Sequence, residues 1–100
     1  VHIAPSPGHT PGHICVHISS GQSDAVMSGD LMHHPIQCAE PDWSSCFCVD
    51  PAASAATRRE FLATHAETPT LVMPAHFPSP GAGRIVEAGN AWRFKFDDED

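Results

Sequence analysis

Positive charge is scarce in this chain: five lysines and arginines face twelve acidic residues, for a net charge of −7. That balance argues against a nucleic-acid partner and against an anionic membrane surface, because both need a basic patch. No apolar run approaches the ~20 residues of a membrane-spanning helix, and no charged-then-apolar leader precedes the first strand signal. Cys15, Cys38, Cys46 and Cys48 contain no CxxC pair, and Cys46 and Cys48 sit too close in sequence to close a comfortable disulfide. Reduced thiols in a cytoplasmic protein are therefore expected. There is no internal repeat and no low-complexity tract apart from an acidic tail at residues 97–100. One hundred residues suffice for a single small domain with a modest core. Strand signals begin almost at Val1, so the expectation is a segment cut from a longer protein, with one domain portion over residues 1–96 followed by the tail.

What is abundant is histidine, at eight residues, a count that fits metal chemistry better than core packing. His9 stands in Pro7-Gly8-His9-Thr10-Pro11-Gly12, gripped by two Pro-Gly pairs. Proline fixes φ and glycine permits positive φ, so this segment reads as a tight loop that holds one imidazole in place. A pre-placed ligand lowers the ordering cost of binding an ion. Asp30 after Gly29, and His76 in Pro74-Ala75-His76-Phe77-Pro78, each follow a short apolar run. Each is expected where a strand ends and a loop begins.

Between these positions the pattern is readable. Residues 1–4 end a strand that feeds the His9 loop. From His13 the chain alternates, with Ile14, Val16 and Ile18 on one face and His13, Cys15 and His17 on the other, the mark of a half-buried strand. A turn at residues 19–23 leads to a short strand, Ala25-Val26-Met27, completing a hairpin that exits at Asp30. Residues 31–48 form a long His-, Pro- and Cys-rich connection, expected to be ordered, with Trp43 and Phe47 pinning it to the core. Asp50-Pro51 opens a helix running to about Ala66, because Asp50 can cap the free N–H groups and Pro51 suits the first helical position. Ala52, Ala55, Ala56, Leu62, Ala63 and Ala66 form its apolar stripe. Arg59 falls within that stripe and Phe61 off it, so the buried face stays open. Residues 70–73 make another buried strand, and residues 84–88 and 91–96 a hairpin about Gly89-Asn90 with Trp92, Phe94 and Phe96 on one face.

A hydrolytic metal site needs neutral imidazoles, often a carboxylate, and a position open to water. His9, Asp30 and His76 supply two nitrogens and a carboxylate at strand ends, which converge along one edge of a layered αβ fold. The ordered set Pro7-Gly8-His9-Thr10-Pro11-Gly12-His13, Gly29-Asp30, a helix, a strand and Pro74-Ala75-His76 resembles the C-terminal half of metallo-β-lactamase-fold hydrolases. With Phe77-Pro78 and Gly83-Arg84-Ile85 it is most similar to the methyl-parathion-type organophosphate hydrolase branch. The resemblance implies the C-terminal half of an αββα sandwich: an α/β fold with a mixed or mostly antiparallel sheet, one clear helix and a terminal hairpin. It further implies two Zn2+ ions, with His9 on one, His76 on the other and Asp30 bridging as the catalytic carboxylate. A metal-held hydroxide would attack an ester-like bond in a small-molecule substrate such as a lactone, phosphotriester or thioester. Iron, manganese or cobalt would accept similar ligands. The family's HxHxDH motif is absent, so this chain carries about half of such a site. The missing N-terminal half is needed, and the segment alone is expected to be inactive.

His13 is expected to support the turn or a ligand, with a ligand role left open, and His33 and His34 are either pocket-lining or plain loop residues. His2, His17 and His65 read as surface or strand histidines without a catalytic part. Arg58 and Arg59 read as helix-surface charges or packed stems, and Arg84 as a partner for an acidic group near the site. Two rival readings remain: a metal-binding fragment completed by another chain, and a thiol redox module built on Cys38, Cys46 and Cys48. A homodimer is also left open.

Overall fold

The computed structural model describes residues 2–21, 23–44, 49–78 and 81–97. The chain builds β1 (His2–Pro5), β2 (Ile14–Ser20), β3 (Ser23–Gly29), α1 (Ile36–Ala39), α2 (Pro51–His65), β4 (Leu71–Pro74), β5 (Gly83–Ala88) and β6 (Ala91–Phe96). The six strands form one sheet in chain order. Every neighbouring pair is antiparallel except β3 and β4, which run parallel. A parallel pair needs a crossover, and α2 lies in the crossover segment. This places the ends of β3 and β4, which lead to Asp30 and His76, at the same rim.

The two faces of the sheet differ. Directly paired residues share a face, so Cys15, Val26, Val72, Ile85 and Phe94 lie together under α2, and all are buried. Leu62 and Phe61 of α2 close this core. The alternation in β2 is real, but its apolar stripe faces the other way from the expectation. Ile14 is 41% exposed and Met27 42% exposed, whereas Cys15 on the opposite parity is 2% exposed. Ile3, opposite Val16, adds to the same open apolar face.

Helix α2 begins as its sequence requires: the Asp50 carboxylate accepts the Ala53 N–H and Pro51 occupies the first turn. Its buried face, however, is Ser54, Arg58, Phe61 and Leu62, not the alanine stripe. Ala52, Ala56 and Ala63 are exposed, because the bulkier Phe61 and Leu62 bury more apolar area per residue and set the helix rotation. Arg58 is fully buried, which corrects the surface reading. Its guanidinium donates to the carbonyls of Leu31 (3.0 Å), Pro41 (2.5 Å) and Trp43 (3.1 Å) and to Ser54 Oγ (3.0 Å). Arg59 does lie on the surface, in a two-pronged pair with Asp42. Arg84 pairs with Asp97 and does not reach Asp30.

Those carbonyl contacts explain how residues 31–44 stay ordered. Leu31, Met32 and Cys38 are buried beneath them. Trp43, expected to pin the loop, is 57% exposed; the Arg58 hydrogen bonds and these smaller apolar side chains hold the loop instead. Phe47, Cys46, Cys48 and most of the acidic tail lie outside the described residues. No described helix is long and apolar enough to cross a membrane.

Candidate metal centre

The His9 loop is fixed from several sides. Val49 N–H donates to the His9 carbonyl and Asp50 N–H to that of Gly8, both at 2.9 Å, and Thr57 Oγ1 donates to the Pro7 carbonyl at 2.7 Å. Gly8 adopts φ +140 directly against α2: a Cβ there would lie 2.2 Å from Ser54 Cα, so no other residue fits. Proline and glycine here seat the backbone of the His9 loop against the first turn of α2.

Asp30 follows Gly29, whose φ is +55. The Asp30 N–H donates to His13 Nε2 at 2.9 Å, which leaves the ring proton on Nδ1. That nitrogen faces the Ser6 hydroxyl (2.8 Å) and the Ser6 carbonyl (3.2 Å), and the Cys15 thiol lies on the same hydroxyl at 3.4 Å. One His13 nitrogen thus holds the Asp30 backbone and the other is engaged with Ser6, so both are occupied within the fold. His76 arrives from the end of β4, tied back by Ala75 N–H to the Gly29 carbonyl (3.2 Å).

The carboxylate of Asp30 sits between two imidazoles. Its Oδ2 is 3.6 Å from His9 Nε2, and its Oδ1 contacts His76 Nε2 directly. His33 completes the cluster. Its ring centroid lies 5.1 Å from that of His9 and stacks on His76 at 4.9 Å with the planes 12° apart. Donor atoms of His9, Asp30 and His33 all fall within 4.8 Å of one another. His34 turns away and accepts the Ile36 N–H on Nδ1 (3.1 Å), a local turn role. The structure therefore brings His9, Asp30, His76 and His33 together, places His13 behind Asp30, and leaves His34 outside. His33 stood in the sequence only as a pocket candidate; its signal was a position three residues after Asp30 within one turn.

The electrostatics suit a cation. Burial pushes the Asp30 carboxyl up, but the His76 hydrogen bond and the nearby His76, His9 and His33 imidazoles outweigh it and hold the group below its ordinary range. Burial, then the neighbouring His76 and His9, keeps His33 below the ordinary imidazole value despite Asp30, so it is neutral at neutral pH. His33 Nδ1 is buried and has no hydrogen-bond partner among the described residues. A buried, unpaired imidazole nitrogen beside converging donors fits a metal ion, and imidazole with carboxylate is a donor set that zinc favours. The Cys38 thiol is the opposite case: burial pushes it up to about 12, leaving almost no thiolate for redox chemistry.

Comparison with solved structures gives this geometry a context. AidC, a dizinc quorum-quenching lactonase solved with the product N-hexanoyl-L-homoserine, superposes with a TM-score of 0.91 at 29% identity over 98% of this chain. The hydrolase AbOPH of the β-lactamase superfamily gives 0.90 at 25% identity over 98% of the chain. The fold is of the metallo-β-lactamase type. A probable metal-dependent hydrolase from Staphylococcus aureus shares this metallo-β-lactamase-type architecture at a TM-score of 0.66, 20% identity and 93% coverage. The chain spans 34% of the length of each of these proteins. The neighbours are hydrolases, one of them a dizinc enzyme and another a probable metal-dependent hydrolase, and none of them fixes an organophosphate branch for this chain. No family model and no curated protein matches its sequence.

Proposed function

We propose that this chain is the C-terminal part of a metal-dependent hydrolase that cleaves an ester-like bond in a small molecule. The observation that carries this reading is the Asp30 carboxylate placed between His9 and His76, with His33 alongside. In this reading His9 and His76 would each help to hold a zinc-class ion, and the Asp30 carboxylate between them would serve as their shared ligand. When bound, such ions polarise the scissile group and lower the pKa of water from ~15.7 to about 7. His33 stays neutral and lines the space next to Asp30, able to accept or donate a hydrogen bond to substrate. His13, held by Ser6, fixes the Asp30 backbone so that the carboxylate keeps one orientation.

The open apolar face at Ile3, Ile14 and Met27, together with the 34% coverage of the neighbours, supports a second half of the sandwich that covers this face and completes the ligand set. Similarity to a lactonase favours a lactone as the first substrate to test; phosphotriesters and thioesters share the same electrophilic demand. Free, buried Cys15 and Cys38 agree with a reducing, cytoplasmic setting. The test is metal content and hydrolysis of a lactone, a phosphotriester and a thioester by the full-length protein, native and Asp30→Asn. About two bound ions and chelator-sensitive turnover, both lost in Asp30→Asn, are expected. Turnover that survives the substitution with metal removed overturns the reading.

A further inference from the structure

A second histidine cluster lies on the sheet face under α2, away from the Asp30 rim. His17 lies four residues along the chain from His13, roughly 13 Å at the ~3.3 Å rise of a strand. His2 of β1 is its direct cross-strand partner, and His65 is the last residue of α2. The His17 and His65 centroids are 5.8 Å apart with the planes tilted by 31°. The same three imidazoles, with Asp24, Ser19 and Thr70, line a cleft of about 210 Å3. Nothing in the hydrolytic reading uses any of these groups.

We propose that His2, His17 and His65 form a second binding site for a divalent transition metal of the zinc class, with Asp24 as the carboxylate at its edge. Two nitrogens on a tetrahedral zinc, each ~2.0–2.1 Å away, stand roughly 3.4 Å apart. With the His17 and His65 centroids 5.8 Å apart, the donor atoms of these residues do not converge in the present rotamers as those of His9, Asp30 and His33 do, so both rings must turn about their side-chain torsions to share an ion. The His2 ring lies flat on His17, at 4.7 Å and 2°, so it must swing off the stack to donate a lone pair. His2 is exposed on edge strand β1, and its two side-chain torsions allow this without moving backbone. Asp24 accepts the Ser19 hydroxyl at 2.7 Å and keeps its second oxygen for the ion. Burial and the neighbouring imidazole hold both His17 and His65 below the ordinary imidazole value, so their lone pairs are available at neutral pH. Three imidazoles with a carboxylate is a set that takes Zn2+, Ni2+ or Cu2+ in preference to Mg2+ or Ca2+.

The test uses Zn2+ alone as probe, on the full-length protein carrying His9→Ala, Asp30→Asn and His76→Ala to empty the first centre. One equivalent should remain bound, and adding His17→Gln and His65→Gln should weaken it at least tenfold. In the native protein, substoichiometric Cu2+ should broaden the imidazole resonances of His2, His17 and His65, and this readout does not depend on any variant folding. His2→Ala, at an exposed position, should weaken the residual site with the fold intact. No residual equivalent, a residual equivalent indifferent to these substitutions, or broadening confined to the Asp30 cluster overturns the proposal.

Discussion

The two faces of the sheet carry comparable apolar side chains, yet they have opposite fates. Under α2, Val26, Val72 and Ile85 are 0% exposed; on the other face Ile3 is 62% exposed and Met27 42% exposed. A strand's alternation states that two faces differ, but which one is covered depends on where the helix lands. Arg58 decides that in large part, because its hydrogen bonds tie α2 to residues 31–43 and so to the covered side.

The strongest way to break this asymmetry is Arg58→Ala. It strands the buried carbonyls of Leu31 and Pro41, while that of Trp43 keeps the Gln37 side-chain amide; at ~1–3 kcal/mol for each unsatisfied group it should cost about 2–5 kcal/mol. A denaturant midpoint near the native one would refute the account. Leu62→Ala, at a fully buried position, should cost about 2–5 kcal/mol, read by the same titration. For the candidate metal centre, His13→Leu removes the acceptor of the Asp30 N–H. A drop of roughly 10–100-fold in zinc affinity is expected, as for other groups that orient a ligand from behind. Unchanged affinity would show that Asp30 needs no such support.

A pH series sharpens the comparison within the covered face. His17 and His65 lie below the ordinary 6.5 when folded, chiefly through burial. As pH falls, the unfolded chain takes up these protons first. Stability is whole above about pH 6.5 and falls as pH drops through 6.5 toward the folded values. The melting temperature should decline over that window, and His65→Gln should shallow the decline; an unaltered slope would remove His65 from the explanation. The smallest effect belongs to the open face. In this segment alone, without the half proposed to cover the face, Ile14→Ala should change stability by only about 0.5 kcal/mol. A cost near that of Leu62→Ala would mean that this face is covered after all.

Much of the candidate site was legible because loop chemistry is local. Pro7-Gly8-His9 and Gly29-Asp30 mark sharp backbone positions, and the α2 cap at Asp50-Pro51 is written in adjacent residues. What was not legible depends on partners distant in sequence. Helix rotation followed Phe61 and Leu62 instead of the alanines, Trp43 stayed outside while Leu31 and Met32 went in, and His33 joined His9 only through the folded loop.

By itself the sequence determined the order of the strands and of the long helix α2, the rigid His9 loop and the strand-end placement of Asp30 and His76, because proline, glycine and capping residues act over a few bonds; the short α1, inside what reads as an irregular connection, was not legible. Only the tertiary structure decided which sheet face is covered, that His13 braces Asp30 through its backbone N–H, and that Arg58 is interior. Each of those depends on which groups, far apart along the chain, meet and exclude water, and no local propensity encodes that.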